Sequence, residues 1–218
     1  MFSKRIIIFA NGDLPNSEKA RALLHDDDFI IAADGGTRHA LALGLTPNVI
    51  IGDMDSVTFD LRPLTEKGTQ VIQLPQDKNE TDLELAIQHA LTLNPEQVVI
   101  LAALGGRLDQ TLGNIALINK PLILHPSSFI LSIDDGIEEV FFCHDKCEIS
   151  GAVGDIVSLI PWQGEVTGIV TENLKWILQN ETLYPNKTRG ISNEMINETA
   201  TVQIKSGLLL IVHRRANL

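Results

Sequence analysis

Short apolar runs rich in β-branched residues recur through the first 125 residues, at 5–10, 29–33, 49–51, 69–74, 97–101 and 122–125. Stretches of helical character separate them, at 17–24, 37–43, 60–67, 82–93 and 109–118. A strand with one face in water alternates apolar and polar residues, whereas a strand covered on both faces reads as an unbroken apolar run. These runs do not alternate. Such strands, interleaved with helices, build a parallel sheet, so the first part of the chain is expected to be α/β, a doubly wound, mostly parallel, Rossmann-like sheet. The stretch 82–93 is the plainest helix: Leu83, Ala86, Ile87, Ala90 and Leu91 share one face. Asp82 and Glu84 fall in its first turn, where the helix dipole favours acids.

Helical periodicity fades after about residue 126. Runs at 129–133, 139–142, 155–160, 165–170, 200–204 and 208–213 recur between Gly, Asn and Pro turns. This predicts an α/β domain at 1–126 followed by an antiparallel, all-β sandwich domain at 127–218. With 44% hydrophobic residues the chain can bury a sizeable core. Its 17 basic and 28 acidic residues give a formal net charge of -11. That argues against nucleic acid or an anionic membrane as partner, since both select basic surfaces. A phosphorylated substrate remains compatible, with a divalent metal bridging carboxylates to phosphates. The first apolar run ends at Asn11, Gly12 and Asp13, too short for a secretory signal, and no run approaches a membrane span. Cys143 and Cys147 fit no common zinc or haem spacing and read as reduced thiols in a cytoplasmic protein.

In an open parallel sheet, ligands bind outside the carboxyl ends of the strands. Several polar motifs fall there: "ADGG" ending at Gly36, "GDMDS" at 52–56, the loop "PQDKNETD" ending at Asp82, and "LGGRLDQTLGN" ending at Asn114. A glycine or aspartate at such a turn ordinarily serves a left-handed φ or a helix cap. What singles these out is that they share one rim. Asp53 and Asp55 stand side by side, with no basic residue nearby in sequence, and close anions raise one another's pKa unless a cation rewards the arrangement. Asp53, Asp55 and Asp82 are therefore candidate Mg²⁺ ligands. Gly35, Gly36, Gly105 and Gly106, with Asp34, are candidates for close approach to phosphates or adenine, and Arg107 for a phosphate clamp. Asp109 either caps the next helix, pairs with Arg107 or reaches the site. No P-loop, G-x-G-x-x-G or G-x-S-x-G occurs, so "NGD" after the first strand is not a dinucleotide fingerprint.

Taken in order, "ADGG", "GDMDS", "KNETDLELA", "LGGRLDQTLGN" and "ENLKWIL" with "RGISNE" resemble the thiamine pyrophosphokinase family, also called thiamine diphosphokinase, over most of the chain from about residue 33 to 194. The resemblance implies an α/β catalytic domain, a β-sandwich thiamine-binding domain and a homodimer with shared active sites. It implies Mg²⁺-dependent transfer of the terminal diphosphate of ATP to the thiamine hydroxyl, giving thiamine diphosphate and AMP. Carried over by residue, Asp53, Asp55 and Asp82 match the metal and phosphate acids. Thr81, Arg107 and Asp109 match nucleotide or reaction-centre contacts, and Ser192 and Asn193 the thiamine side. Two positions depart from the family pattern: Asn79 stands where a second aspartate is common, and Gln110 where many relatives have histidine. Trp162 and Trp176 are both in the second domain, and either is a candidate to stack on the cationic thiazolium. Asp55, Asp82, Arg107 and Asp109 are the expected catalytic set, with Asp55 or Asp109 taking the alcohol proton. Rival readings are a noncatalytic nucleotide or thiamine sensor of the same fold, which would have discarded the metal acids, and a nucleotidyl or sugar transferase built on Asp-x-Asp, which leaves "RGISNE" unexplained.

Overall fold

The computed structural model describes residues 5–119 and 129–216. The chain separates into two compact units, Met1–Gly136 and Ile137–Leu218. In the first, strands β1 (Arg5–Phe9), β2 (Phe29–Ala33), β3 (Val49–Gly52), β4 (Gln70–Gln73), β5 (Gln97–Leu101) and β6 (Ile130–Asp134) lie in the order β6-β5-β1-β2-β3-β4. Every neighbouring pair is parallel. The helices are α1 (Ser17–Ala22), α2 (Thr37–Ala42), α3 (Arg62–Glu66), α4 (Asp82–Thr92) and α5 (Leu108–Leu117). The chain steps outward from β1 to β4, and α4 then packs across β3, β2 and β1 to bring β5 in on the other side of β1. That reversal puts the crevice of the sheet at β1.

The strand residues follow the expected two-sided burial. Ile7, Phe9, Ile30, Val99 and Leu101 pack with Ala40 and Leu43, while Leu83, Ala86, Ile87 and Ala90 bury the inner face of α4. The exception is β4, whose end residues are exposed and whose middle is half-buried. As the sheet edge it lacks a neighbour on one side.

Two expectations change. Residues 129–133 were expected to open the antiparallel domain, but Ile130–Asp134 pairs parallel with β5 and closes the first unit, so the division falls after Gly136 and not after 126. An apolar run of this length has no sign of direction; its neighbour supplies one. The expected strand at 122–125 lies outside the described residues.

The second unit is built of strands: β7 (Glu138–Cys143), β8 (Lys146–Ser150), β9 (Ile156–Pro161), β10 (Val166–Glu172), β11 (Gln179–Leu183), β12 (Asn193–Glu194), β13 (Thr199–Gln203) and β14 (Leu209–Arg214). Within it β12-β9-β14-β7 and β11-β10-β13-β8 run antiparallel. Val157, Leu159, Leu209 and Ile211 of the first set share one apolar cluster with Ile149, Val166, Ile169, Ala200 and Val202 of the second. The alternation in β9 and β13 follows from having one face in that core and one outside. Strands β8, β11 and β12 have too few apolar residues to register in the sequence.

Candidate functional site

The carboxyl ends of β1, β2, β3 and β5 open on one cavity of about 590 Å³ in the first unit. Its wall takes Asn11, Gly12 and Asp13 after β1, Asp34 after β2, and Asp53, Asp55 and Ser56 after β3. Thr81 and Asp82 come from the start of α4, Gly105, Gly106 and Arg107 from the loop after β5, and Gln110 and Asn114 from α5. Three of these strand ends turn through non-glycine residues in the left-handed region: Asp34 (φ 45°), Met54 (φ 67°) and Ala102 (φ 57°). Each such residue costs roughly 1 kcal/mol or more, and backbone of this kind gathers at binding sites. For Asp34 the Thr37 hydroxyl, donating to its carbonyl at 2.7 Å, helps fix the turn.

Carboxylate oxygens of Asp34, Asp53 and Asp82 lie within 4.8 Å of one another. Gly52 permits this, because a Cβ there would come within 2.8 Å of the Asp34 Cβ and 3.1 Å of an Asp82 oxygen. Asp34 is buried, and its Oδ1 takes no hydrogen bond. Lys78 reaches in from the loop after β4, its Nζ 3.0 Å from Asp82 and 3.6 Å from Asp53. Burial pushes the Asp82 carboxyl above the usual carboxylate range; Lys78 opposes the shift, while Asp53 and Asp34 add to it. Asp53 is held low, chiefly by the Asp55 backbone N–H at 3.1 Å and further by Lys78. A crowded acid set in which Oδ1 of Asp34 and Oδ1 of Asp82 are buried without a hydrogen bond suits a divalent cation that prefers oxygen ligands.

Most of the sequence candidates meet here, but not all in the expected manner. Asp55 lines the cavity beside the acid triplet without joining it; its Oδ1 accepts from Ser56 at 2.9 Å. Thr81 lines the cavity and caps α4, its hydroxyl oxygen accepting from Glu84 N–H. Gly105 and Gly106 take left-handed φ of 82° and 72° and bring bare backbone to the wall. Gly35 and Gly36 lie behind the wall: a Cβ on either would strike Asn11 or the Phe9 carbonyl, so they serve the packing of the β2 turn on β1. Asp109 stands off the cavity, exposed and paired with Arg107 at 2.5 Å, and it is not the cap of α5, whose N-cap is Arg107. The Arg107 guanidinium holds its carboxyl below the usual range.

Sequence reading passed over Lys78, Asn11, Asp13 and Arg38. Arg38 donates to the Asn11 side chain and to the carbonyls of Asn11 and Gly12, fixing the loop after β1. The signal available was positional: "NGD" follows an apolar strand on the same rim as the other motifs.

The second unit holds a smaller pocket, about 250 Å³, lined by Trp176, Arg189, Ile191, Ser192 and Asn193. Asn193 is buried; its Oδ1 accepts from Trp176 N–H at 3.0 Å and its Nδ2 donates to the Trp176 carbonyl at 2.7 Å. Ser192 is left-handed (φ 59°) and its N–H donates to the Ser158 hydroxyl. Trp176 is 49% exposed, with Lys175 Nζ 5.0 Å from its ring centroid. Trp162 is not in this pocket; it packs edge-on against Phe142 at 5.5 Å.

Residues 20–128 match the model described as thiamin pyrophosphokinase, catalytic domain, and residues 146–209 the one described as thiamin pyrophosphokinase, vitamin B1 binding domain. The chain is 29% identical over 184 residues to a thiamine pyrophosphokinase of Bacillus subtilis, covering 84% of this chain and 85% of that protein. It is 31% identical to thiamine pyrophosphokinase 2 of Arabidopsis thaliana, over 85% of this chain and 68% of the relative. A crystal structure of thiamine pyrophosphokinase from Bacillus subtilis superimposes with a TM-score of 0.85 at 27% identity, over 97% of this chain and 99% of that one.

Proposed function

The chain belongs to the thiamine pyrophosphokinase family, and we infer from that membership and from the first-unit cavity that it is a thiamine diphosphokinase. It transfers the terminal diphosphate of ATP to the thiamine hydroxyl, releasing AMP. The observation that carries the reading is the meeting of Asp34, Asp53, Asp82, Lys78, the Gly105–Gly106 backbone and Arg107 around one cavity. Transfer at the β-phosphorus needs alignment and charge neutralisation more than an enzyme nucleophile. The thiamine oxygen bonds to that phosphorus, the bond to the oxygen retained by AMP breaks, and the hydroxyl proton leaves.

The backbone of Gly105 and Gly106 gives phosphate oxygens close approach, and Arg107 clamps them. Asp55 is assigned the hydroxyl proton, since it lines the cavity while Asp109 is committed to Arg107 outside it. The acids fit Mg²⁺: Asp53 and Asp82 would hold it, with the unpartnered oxygen of Asp34, and Asp55 would stand alongside. When bound it neutralises charge on the phosphates. In the second unit, Trp176 offers its exposed side to the thiazolium, Asn193 holds the Trp176 backbone in place, and Ser192 lines the same pocket. The first unit is read as doubly wound, in keeping with the reversal of strand order at β1. A homodimer is proposed, each active site combining the acids of one subunit with the β unit of the other. The two free thiols support a cytoplasmic location.

Incubation with ATP, Mg²⁺ and thiamine is expected to yield thiamine diphosphate and AMP in equal amounts. AMP release that ignores thiamine, or no release at all, would overturn the assignment.

A further inference from the structure

Lys78 belongs to the loop between β4 and α4, yet its ammonium is spent on the acid cluster. Its Nζ forms ion pairs with Asp82 at 3.0 Å and Asp53 at 3.6 Å and donates to the Pro75 carbonyl at 3.2 Å, with the side chain 14% exposed. It pairs with two members of the acid triplet, yet Oδ1 of Asp34 and Oδ1 of Asp82 both stay buried without a hydrogen bond. One ammonium thus faces three carboxylates, and the cluster keeps an unmet demand for positive charge.

A divalent cation bound to these carboxylates takes oxygens at about 2.1 Å. An ammonium left on the same oxygens would lie within a few ångströms of it, and at that range like charges repel strongly. The two cations therefore compete for Asp53 and Asp82. Lys78 has a flexible four-carbon stem and can retreat without moving the backbone. The cavity beside it offers the oxygens it needs once the acids are taken: those of the nucleotide's phosphates.

We propose that Lys78 is an exchangeable resident cation, holding Asp53 and Asp82 until a divalent metal enters and then transferring its ammonium to a phosphate of the nucleotide. The inference rests on the diphosphokinase reading of the cavity. It assigns Lys78 a role opposite in sign toward the two ligands, opposing metal alone and favouring nucleotide. A lysine that merely tethers the loop would support both.

The test measures Mn²⁺ binding by electron paramagnetic resonance, without nucleotide, for the wild type, Lys78→Met, Lys78→Gln, Lys78→Arg and Asp82→Asn. ATP binding with the acids saturated by Mn²⁺, the state in which Lys78 is released to a phosphate, is measured in parallel. Removing the ammonium should tighten Mn²⁺ by about fivefold, the upper end of what a partly screened ion pair carries, and weaken ATP by a similar factor. Lys78→Arg should stay near the wild type in both, and Asp82→Asn should lose Mn²⁺. Mn²⁺ binding that is unchanged or weaker in both Lys78→Met and Lys78→Gln overturns the exchange. If the wild type makes thiamine diphosphate with Mg²⁺ but holds no Mn²⁺ on these acids, the exchange falls and the diphosphokinase reading stands. If Mn²⁺ tightens as expected but no thiamine diphosphate forms, the exchange holds and that reading falls.

Discussion

The two pockets of this chain are built on different principles. The cavity of the first unit gathers residues from Ala10 to Asn114, segments far apart in sequence, and its wall is crowded with acids and glycines beside Arg107, with Lys78 paired to two of the acids. The pocket of the second unit draws on two short segments, Trp176 and 189–193, pinned together by the side chain of Asn193, and its apolar lining is Trp176 and Ile191. The first arrangement suits transfer between charged groups, where fixed charges must already stand where they are needed. The second suits recognition of a flat cation by an aromatic face. Charge chemistry here takes a whole sheet to assemble; recognition takes two loops and a two-residue strand.

If the contrast is right, the largest losses come from the acids. Asp53→Asn and Asp82→Asn are each expected to lower turnover by about 100-fold or more, the scale lost with one preorganised electrostatic group. Asp55→Asn should fall in the same range as loss of a general base. Circular dichroism should show the fold retained, because relieving a crowded acid set does not remove a core contact. Near-normal turnover in the Asp53 and Asp82 variants would break the comparison at its charged end.

At the aromatic end, Trp176→Leu should raise the thiamine KM about tenfold and leave the KM for ATP unchanged. Trp162→Leu should lower the melting temperature through the lost Phe142 contact and leave both constants alone. The reverse pattern would move the thiamine face to Trp162. Lys175, already above the Trp176 ring, gives a sharper version: if it screens that ring from a second cation, Lys175→Met lowers the thiamine KM.

Whether the two kinds of pocket cooperate across subunits is open to a mixing experiment. Asp55→Asn and Ser192→Trp subunits, each inactive alone, should regain about a quarter of wild-type activity after random exchange, because half the dimers are mixed and each has one intact site. Persistent inactivity, with mixed dimers confirmed by mass measurement, rules out shared sites.

The smallest effect concerns the second unit's own core. His213 is fully buried, its Nε2 2.8 Å from Asp155 and its Nδ1 3.9 Å from Glu139. Burial lowers its pKa, but Glu139 and Asp155 outweigh that and the net shift is upward. A raised folded pKa contributes stability that is complete below the unfolded value, about 6.5, and is lost as pH climbs through the folded value. Melting temperature should therefore decline over that range, and His213→Gln should flatten the decline. An identical slope in the variant would show that other groups carry it.

Much of the first unit was legible because its signals are local. An unbroken apolar run and a 3.6-residue period are written in neighbouring positions, so β1, β2, β5 and α4 fall close to where the sequence put them. β8, with two charged residues and a serine among its five, and the two-residue β12 carry no such signal; they are strands because a neighbour pairs with them. The same division runs through the site. "GDMDS" announced a pair of acids, but proximity in sequence misled about grouping: Asp55 stands aside and Asp34 takes its place with Asp53 and Asp82.

The sequence by itself determined which segments become strands and helices, which chemical groups end up at the strand ends, and the family to which the order of motifs belongs. Tertiary structure alone decided which of those groups meet. The side-by-side order of β1, β2 and β3, with α4 crossing over them, sets Asp34, Asp53 and Asp82 within reach of one another, and the loop before α4 adds Lys78. The physical reason is that strand order and crossover paths are fixed by burying whole faces against each other, a long-range balance that no short window of sequence contains.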